Sequence, residues 1–337
     1  FSGSFSFILL MVLMFISSLT MFMSGLVANF EYDMKKIIAL STLSQLGLMM
    51  SVLALGESSL AFFHLFMHAL FKALLFMCSG SIIHNLMGCQ DIRFMGSLVI
   101  FMPLTISFFN ICNLSLCGLP FLSGFYSKDL ILEFLSMNYF NVYVYLIFYL
   151  STGLTMSYSI RLLYFTLITN SKVLPYSGLV EEGGSMLRGM GGLIFFAVCG
   201  GSLMSWILFP TPYFICLPLL MKLMVLLVLL LGFCLGYYVS WCRLGLILNL
   251  GNFYKMNYFF SSMWNLSYLS TFGVNYYFLT FGEKLNFLID QGWSEYFGSQ
   301  NLYNSIKSSS IFLQLVFINN IKFFLTLFLI WICLLMF

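Results

Sequence analysis

His64, His68 and Lys72 follow one another at intervals of four residues within SSLAFFHLFMHALFKALLFMCSGSIIH. On a helix this spacing stacks the three side chains on one face, each about 6 Å from the next. Histidine titrates near neutral pH, and a lysine yields its proton more readily once water is removed from around it. The chemistry on offer is stepwise proton transfer, with water bridging separations too long for direct hydrogen bonds. Ionisable groups at membrane depth are costly, so a stripe holding two of the chain's three histidines marks a route for ions or protons. Lys128 and Asp129, at the end of CGLPFLSGFYSKD, form a second candidate pair. An ammonium beside a carboxylate keeps its proton and releases it when the carboxylate is neutralised or moves. Ser41, Thr42, Ser44 and Gln45, on a neighbouring apolar run, supply polar groups able to hold water.

The elements that position these residues follow from composition. Hydrophobic residues make up 61% of the 337 and charged residues 7%, a balance that excludes a soluble domain, whose residues are about a quarter charged. Apolar runs at about 5–28, 36–55, 58–87, 97–137, 140–168, 190–208, 214–240 and 321–337 are long enough to span as helices and lack the alternation of barrel strands. The fold class is an all-α polytopic membrane protein with about eight transmembrane helices. With alternating sides, the loops of Lys35, Lys36, Arg93, Lys172, Arg188, Arg243 and Lys255 share one face, while the loops near Glu57 and Thr211 carry no basic residue. The positive-inside rule puts the basic face in the cytoplasm, or in the matrix of a mitochondrion. The net charge of +3 is spread too thinly for nucleic-acid binding. The nine cysteines stand singly, without zinc or iron–sulfur spacing, and read as small apolar residues.

The fourth run is too long for one straight helix, and Gly118, Pro120 and Gly124 predict a break within it, with Lys128 just beyond. Breaks of this kind expose helix ends to a cavity and are used by transporters to build ion sites. The alternative is a surface loop with a solvated Lys–Asp pair; the apolar flanks favour the broken helix. Residues 241–320 are richer in Asn, Ser, Gly and charge, and from about 281 to 318 the pattern predicts a long amphipathic helix lying along the membrane, or a loop with short helical pieces at Gly292 and Gly298. His84 beside Asn85 reads as bonding a neighbouring carbonyl. Arg161 reads as an anchor reaching the basic face, and Lys222 as either snorkelling or contacting lipid or a partner helix. Glu31, Asp33, Lys35 and Lys36 read as a solvated loop. The chain opens on Phe1 without methionine or a signal-peptide pattern, which reads as a start inside a longer protein, and the abundance of Phe and Met fits an organellar genome.

NFEYDMKKIIALSTLSQLGLMM, HLFMHALFKALLFMCSGSIIHN, QDIRFMGSL, MPLT and LPFLSGFYSKDLILE, in this order, resemble the antiporter-like membrane subunits of respiratory complex I, and DQGWSEYFG resembles their arthropod versions. The resemblance runs from about Asn29 to the C-terminus and is densest between 29 and 136. It implies the C-terminal portion of such a subunit: a second antiporter-like repeat at 1–168, two further spans at 169–240, a lateral amphipathic segment at 241–320 and a terminal anchor at 321–337. It also implies that His64, His68, Lys72, Lys128 and Asp129 belong to a buried proton path, with Lys128 and Asp129 at its outlet. Other membrane-arm and accessory subunits and lipid are the implied partners, and the mitochondrial inner membrane, with basic loops and lateral helix on the matrix side, is the implied location. No cofactor is expected in this chain; FMN, iron–sulfur clusters and quinone are expected in partner subunits. Two other readings stand beside proton translocation: a structural clamp whose lateral helix braces a membrane arm, and a stand-alone cation/proton antiporter.

Overall fold

Apolar segments satisfy their backbone N–H and C=O groups most fully by coiling into helices. The computed structural model describes residues 2–137, 142–170, 181, 184–242, 255, 258–318 and 321–336, and among them every regular element is helical. Helices α1 (Phe7–Ala28), α2 (Met34–Ala54) and α3 (Ser58–Asn85) are followed by a short turn α4 (Leu98–Phe101) and by α5 (Pro103–Cys117), α6 (Ser123–Met137), α7 (Val142–Leu163), α8 (Ser185–Leu208) and α9 (Leu219–Cys242). Five of these, α1, α2, α3, α8 and α9, are long and apolar enough to cross a membrane as single helices, and the count becomes six if the bent pair at the C-terminus is one span. The other expected crossings fall on the broken α5–α6 pair and on α7, whose buried face carries Ser151, Thr152, Thr155, Ser157, Ser159 and Arg161.

The long fourth run is interrupted at 118–122. Gly118 ends α5 at φ 83°, its N–H reaching back to the Leu114 and Ser115 carbonyls, a left-handed cap that glycine adopts without strain. Gly124 then passes so close to α5 that a Cβ there would lie 1.7 Å from the Ser115 oxygen. The two pieces cross only because Gly124 has no side chain. Upstream, Pro103 opens α5 in its first turn, where a missing N–H costs nothing.

The loops meet at two ends. At one, Met34 N–H donates to the Gln90 carbonyl (2.9 Å), Ile92 N–H to that of Tyr32 (3.0 Å) and Ser97 N–H to that of Thr169 (2.9 Å). This gathers Lys35, Lys36 and Arg93 as alternation of sides predicts; Lys172 and Arg243 lie outside the described residues. At the other, Tyr213 Oη donates to the Glu57 carboxylate (3.1 Å). Between them the core divides in two. Phe63, Met67, Phe71, Leu74 and Ile82 of α3 pack with Ile106 and Phe109 of α5 and Ala197 of α8, and Leu132, Phe148 and Met156 pack with Val225 and Leu229 of α9.

The chain separates into two compact units, Phe1–Asn265 and Leu266–Phe337. In the second, helix runs from Leu266 to Ile318, including α10 (Val274–Leu285) and α11 (Asn301–Ile318), with π-helical stretches at Leu269–Gly273, Asn286–Trp293 and Tyr296–Gln300. It starts earlier than the expected 281, where Tyr268, Phe272 and Tyr276 stack one turn apart at 5.2 and 6.4 Å. Gly292 and Gly298 do not interrupt it; both sit in π-helical turns. α12 (Ile321–Met336) follows.

Candidate functional site

The α3 ladder faces inward, with His64 1%, His68 8% and Lys72 4% exposed. Their common face points at α2, where Ser41, Ser44 and Gln45 are buried; Thr42 is turned away and bonds the Ala39 carbonyl, so it drops out of the expected polar set. Lys72 Nζ donates to Ser41 Oγ. That hydroxyl's own proton goes to the Ile38 carbonyl (2.7 Å), so its oxygen is left to accept. His64 links two helices, Nε2 lying 3.2 Å from Gln45 Oε1 on α2 and Nδ1 3.0 Å from Ser127 Oγ on α6. An amide oxygen accepts only, which assigns the ring proton to Nε2 and makes Ser127 the donor to Nδ1. The His64 and His68 rings stand 6.4 Å apart, as helical spacing predicts. Among the described residues, His68 Nε2 has no hydrogen-bond partner. Its ring packs edge-on against Phe71 at 5.4 Å.

Lys128, 3% exposed, lies on α6 just beyond the break. Its Nζ donates to Thr155 Oγ1 on α7 (2.7 Å), and Thr155 in turn donates to the Thr152 carbonyl (2.7 Å). Both buried lysines therefore sit on a hydroxyl whose hydrogen is committed one turn back along its own helix. Cys117, at the end of α5, is buried, with its Sγ 2.8 Å from Ser159 Oγ.

Asp129 departs from expectation. Among the described residues the ion pairs are Lys36–Asp33 and Arg93–Asp91, and Lys128 and Asp129 make none. Consecutive residues on a helix project about 100° apart, so when Lys128 turns inward its neighbour turns away. The half-buried Asp129 lies one helical turn from Glu133 instead, within the field of Lys222. The site brings together His64, His68, Lys72 and Lys128; Asp129 stands to one side.

Arg161 does not snorkel. It is 1% exposed, donates from Nη1 to the Asn29 (2.6 Å) and Ala28 (3.3 Å) carbonyls at the end of α1, and lies 4.9 Å from the centre of the Tyr32 ring. Arg93 lies against the same ring at 4.2 Å. In the adjoining loop, burial pushes the Asp91 carboxyl up, but the Arg93 hydrogen bonds and charge outweigh it and hold the group below the usual carboxylate range. Burial raises Glu31, partly offset by Lys36. Lys36 and Asp33 form the expected solvated pair at 3.1 Å. His84 is exposed beside Glu181, which accepts from the Thr105 (2.7 Å) and Leu104 (3.2 Å) N–H groups at the start of α5, and among the described residues the expected bond from His84 to a neighbouring carbonyl is not made.

Thr155, Ser127 and Cys117 escaped sequence reading. Serine and threonine are frequent in these runs, and nothing local to Thr155 marks it as facing Lys128. Tyr158, buried beside Ser41, Ser44 and Gln45, was equally hidden.

A straight helix carrying a buried histidine–lysine ladder, packed on a broken helix with its own buried lysine, defines an antiporter-like membrane protein. The sequence pattern described as NADH dehydrogenase subunit 5 C-terminus matches residues 158–337, and that described as NADH:quinone oxidoreductase/Mrp antiporter, TM, matches 2–155. The chain belongs to the NADH dehydrogenase subunit 5 family. It is 52% identical over 319 residues to NADH-ubiquinone oxidoreductase chain 5 of Anopheles quadrimaculatus, covering 95% of this chain and 55% of that one. The Locusta migratoria chain is 49% identical over 95% of this chain and 56% of its own, and the Mus musculus chain 38% identical over 73% and 41%. The chain thus spans about half the length of the curated relatives it matches. Among solved structures, the Mrp complex from Dietzia sp. DQ12-45-1b aligns over 69% of this chain and 27% of its own at TM-score 0.54 and 22% identity, a likeness of fold.

Proposed function

We propose that this chain is part of a proton-translocating membrane-arm subunit of NADH:ubiquinone oxidoreductase in the mitochondrial inner membrane. Protons move along His64, His68, Lys72 and Lys128 while electron transfer takes place in other subunits, which hold the FMN, iron–sulfur clusters and quinone. The observation that carries this reading is the pair of interior lysines that have no carboxylate partner among the described residues, each held by one hydroxyl, with His64 bridging their helices. Such groups respond to small changes in local field, which is what coupling to a distant redox step requires. The end that gathers Lys35, Lys36 and Arg93 is assigned to the matrix. Neighbouring membrane-arm subunits and lipid cover the outward apolar faces.

The helix from Leu266 to Ile318, with Leu288, Phe297, Leu302 and Ile306 exposed along it, favours a bracing role for the second unit in addition. One substitution separates conduction from bracing. Lys72→Met keeps chain length and removes the proton carrier. In intact complex reconstituted into vesicles, it should lower protons moved per electron pair while assembly stays normal. An unchanged ratio would make the ladder structural and leave bracing as the function.

A further inference from the structure

Turned away from Lys128, Asp129 lies one helical turn from Glu133 on α6, and both carboxylates are half-buried. Lys222, in the first turn of α9, is the cation whose field acts on both. Its place in the sequence leaves open snorkelling or contact with lipid or a partner helix, and the packing of α9 bears on the choice. Lys222, Val225, Leu229, Gly232 and Gly236 recur at intervals of three or four and so form one stripe. Val225 and Leu229 are buried in the same cluster as Ile131 and Leu132 of α6. Gly232 and Gly236 lie so close to α7 that a Cβ would come within 2.4 Å of the Gly153 and Ser157 carbonyl oxygens. The stripe is therefore the face that α9 turns toward protein, and Lys222 continues it to the helix end, where its own head is exposed. The α8–α9 loop is held over this end of α6 by Tyr213, edge-on to Phe134 at 6.0 Å and bonded to Glu57 and Ser59. Among the described residues, Tyr149 on α7 is a further titratable group near Asp129, with the Tyr145 ring 4.5 Å from its own.

We infer that Lys222, Asp129 and Glu133 form an outlet relay, in which Lys222 is a positioning residue whose charge favours release of the proton. This rests on the proton-path reading of Lys72 and Lys128. The Lys128 ammonium gives its proton through bridging water to the Asp129 carboxylate, becoming an amine as Asp129 becomes a neutral acid. The proton passes to Glu133 and then to bulk water, which restores both carboxylates. The positive charge of Lys222 favours the ionised form of each carboxylate, so a captured proton moves on.

The test uses intact complex in vesicles, with protons moved per electron pair as the readout. Lys222→Met should lower the ratio and Lys222→Arg should restore it, and Lys222→Met added to Asp129→Asn should lower it no further than Asp129→Asn alone. Lys222→Gln serves as the neutral variant if methionine hinders assembly. An unchanged ratio in the assembled neutral variant, failure of arginine to restore it, or additive losses in the double variant would overturn the relay. Lys72→Met in the same preparation separates the two claims. If it too leaves the ratio unchanged, the proton path itself fails; if it lowers the ratio while the Lys222 variants do not, only the outlet role fails.

Discussion

Among the described residues, each of Lys72 and Lys128 has one hydrogen-bond acceptor, and that acceptor is a hydroxyl. Thr155 does for Lys128 what Ser41 does for Lys72: by spending its own proton on a carbonyl of its helix, it presents an oxygen that can only accept. Removing such a partner strands a charged donor, at a cost of about 1.5–3 kcal/mol. Thr155→Val, nearly the same shape, should therefore destabilise the assembled complex by that order and lower protons per electron pair, while Thr155→Ser should preserve both. Thermal melting of the complex together with vesicle pumping measures this. If valine leaves both unchanged, Thr155 plays no part in holding Lys128. The ladder itself is legible from the string HxxxHxxxK, because helical periodicity is local and needs no knowledge of neighbours. Asp129 turns away from Lys128 for a related reason: adjacency in sequence suggests a pair, but adjacency on a helix separates side chains by about 100°.

Among the elements, the break between α5 and α6 is the most demanding. Gly118, Pro120 and Gly124 announce an interruption, and α5 and α6 stop and restart around it. What sequence does not reveal is that Gly124 is needed for contact, not for its backbone freedom. A methyl at 124 would lie 1.7 Å from the Ser115 oxygen, so α6 would have to move off α5 and carry Lys128 away from Thr155. Gly124→Ala should cost at least about 1–3 kcal/mol, the range for overpacking, and reduce the amount of assembled complex. Gly80→Ala is the control: nothing lies within 4 Å of a Cβ there, and alanine favours helix by about 1 kcal/mol over glycine. Quantifying assembled complex on native gels tests the pair, and equal amounts for both variants would refute the contact. Arg161 teaches the same lesson. A late arginine in an apolar run looks like an anchor, yet the end of α1 supplies two carbonyls that draw it inward.

Over the whole first unit, three segments distant in sequence close the end that carries Lys35, Lys36 and Arg93: the α1–α2 loop, the α3–α4 loop and the end of α7. Asp91, through Arg93 and the Tyr32 ring, is the titratable part of this closure. Its carboxyl is held below the ordinary range, so its contribution is complete above the unfolded value of about 3.9 and is lost as pH falls through the folded one. Amide exchange at 29–34 and 90–95 should stay slow at neutral pH and rise only below about pH 4. Asp91→Asn should speed it at neutral pH and flatten the acid dependence. Equal exchange in the two forms at neutral pH would remove Asp91 from the closure. Apolar runs, the ladder, the broken helix and the gathering of basic loops are all readable in one dimension, because each depends on hydropathy, periodicity or backbone chemistry within a few residues. The acceptors of the two lysines, the outward turn of Asp129, the inward turn of Arg161 and the protein-facing stripe that carries Lys222 are not. Each depends on which helices lie side by side and at what rotation, and that is settled by packing among residues up to more than a hundred positions apart, as between Arg161 and Asn29.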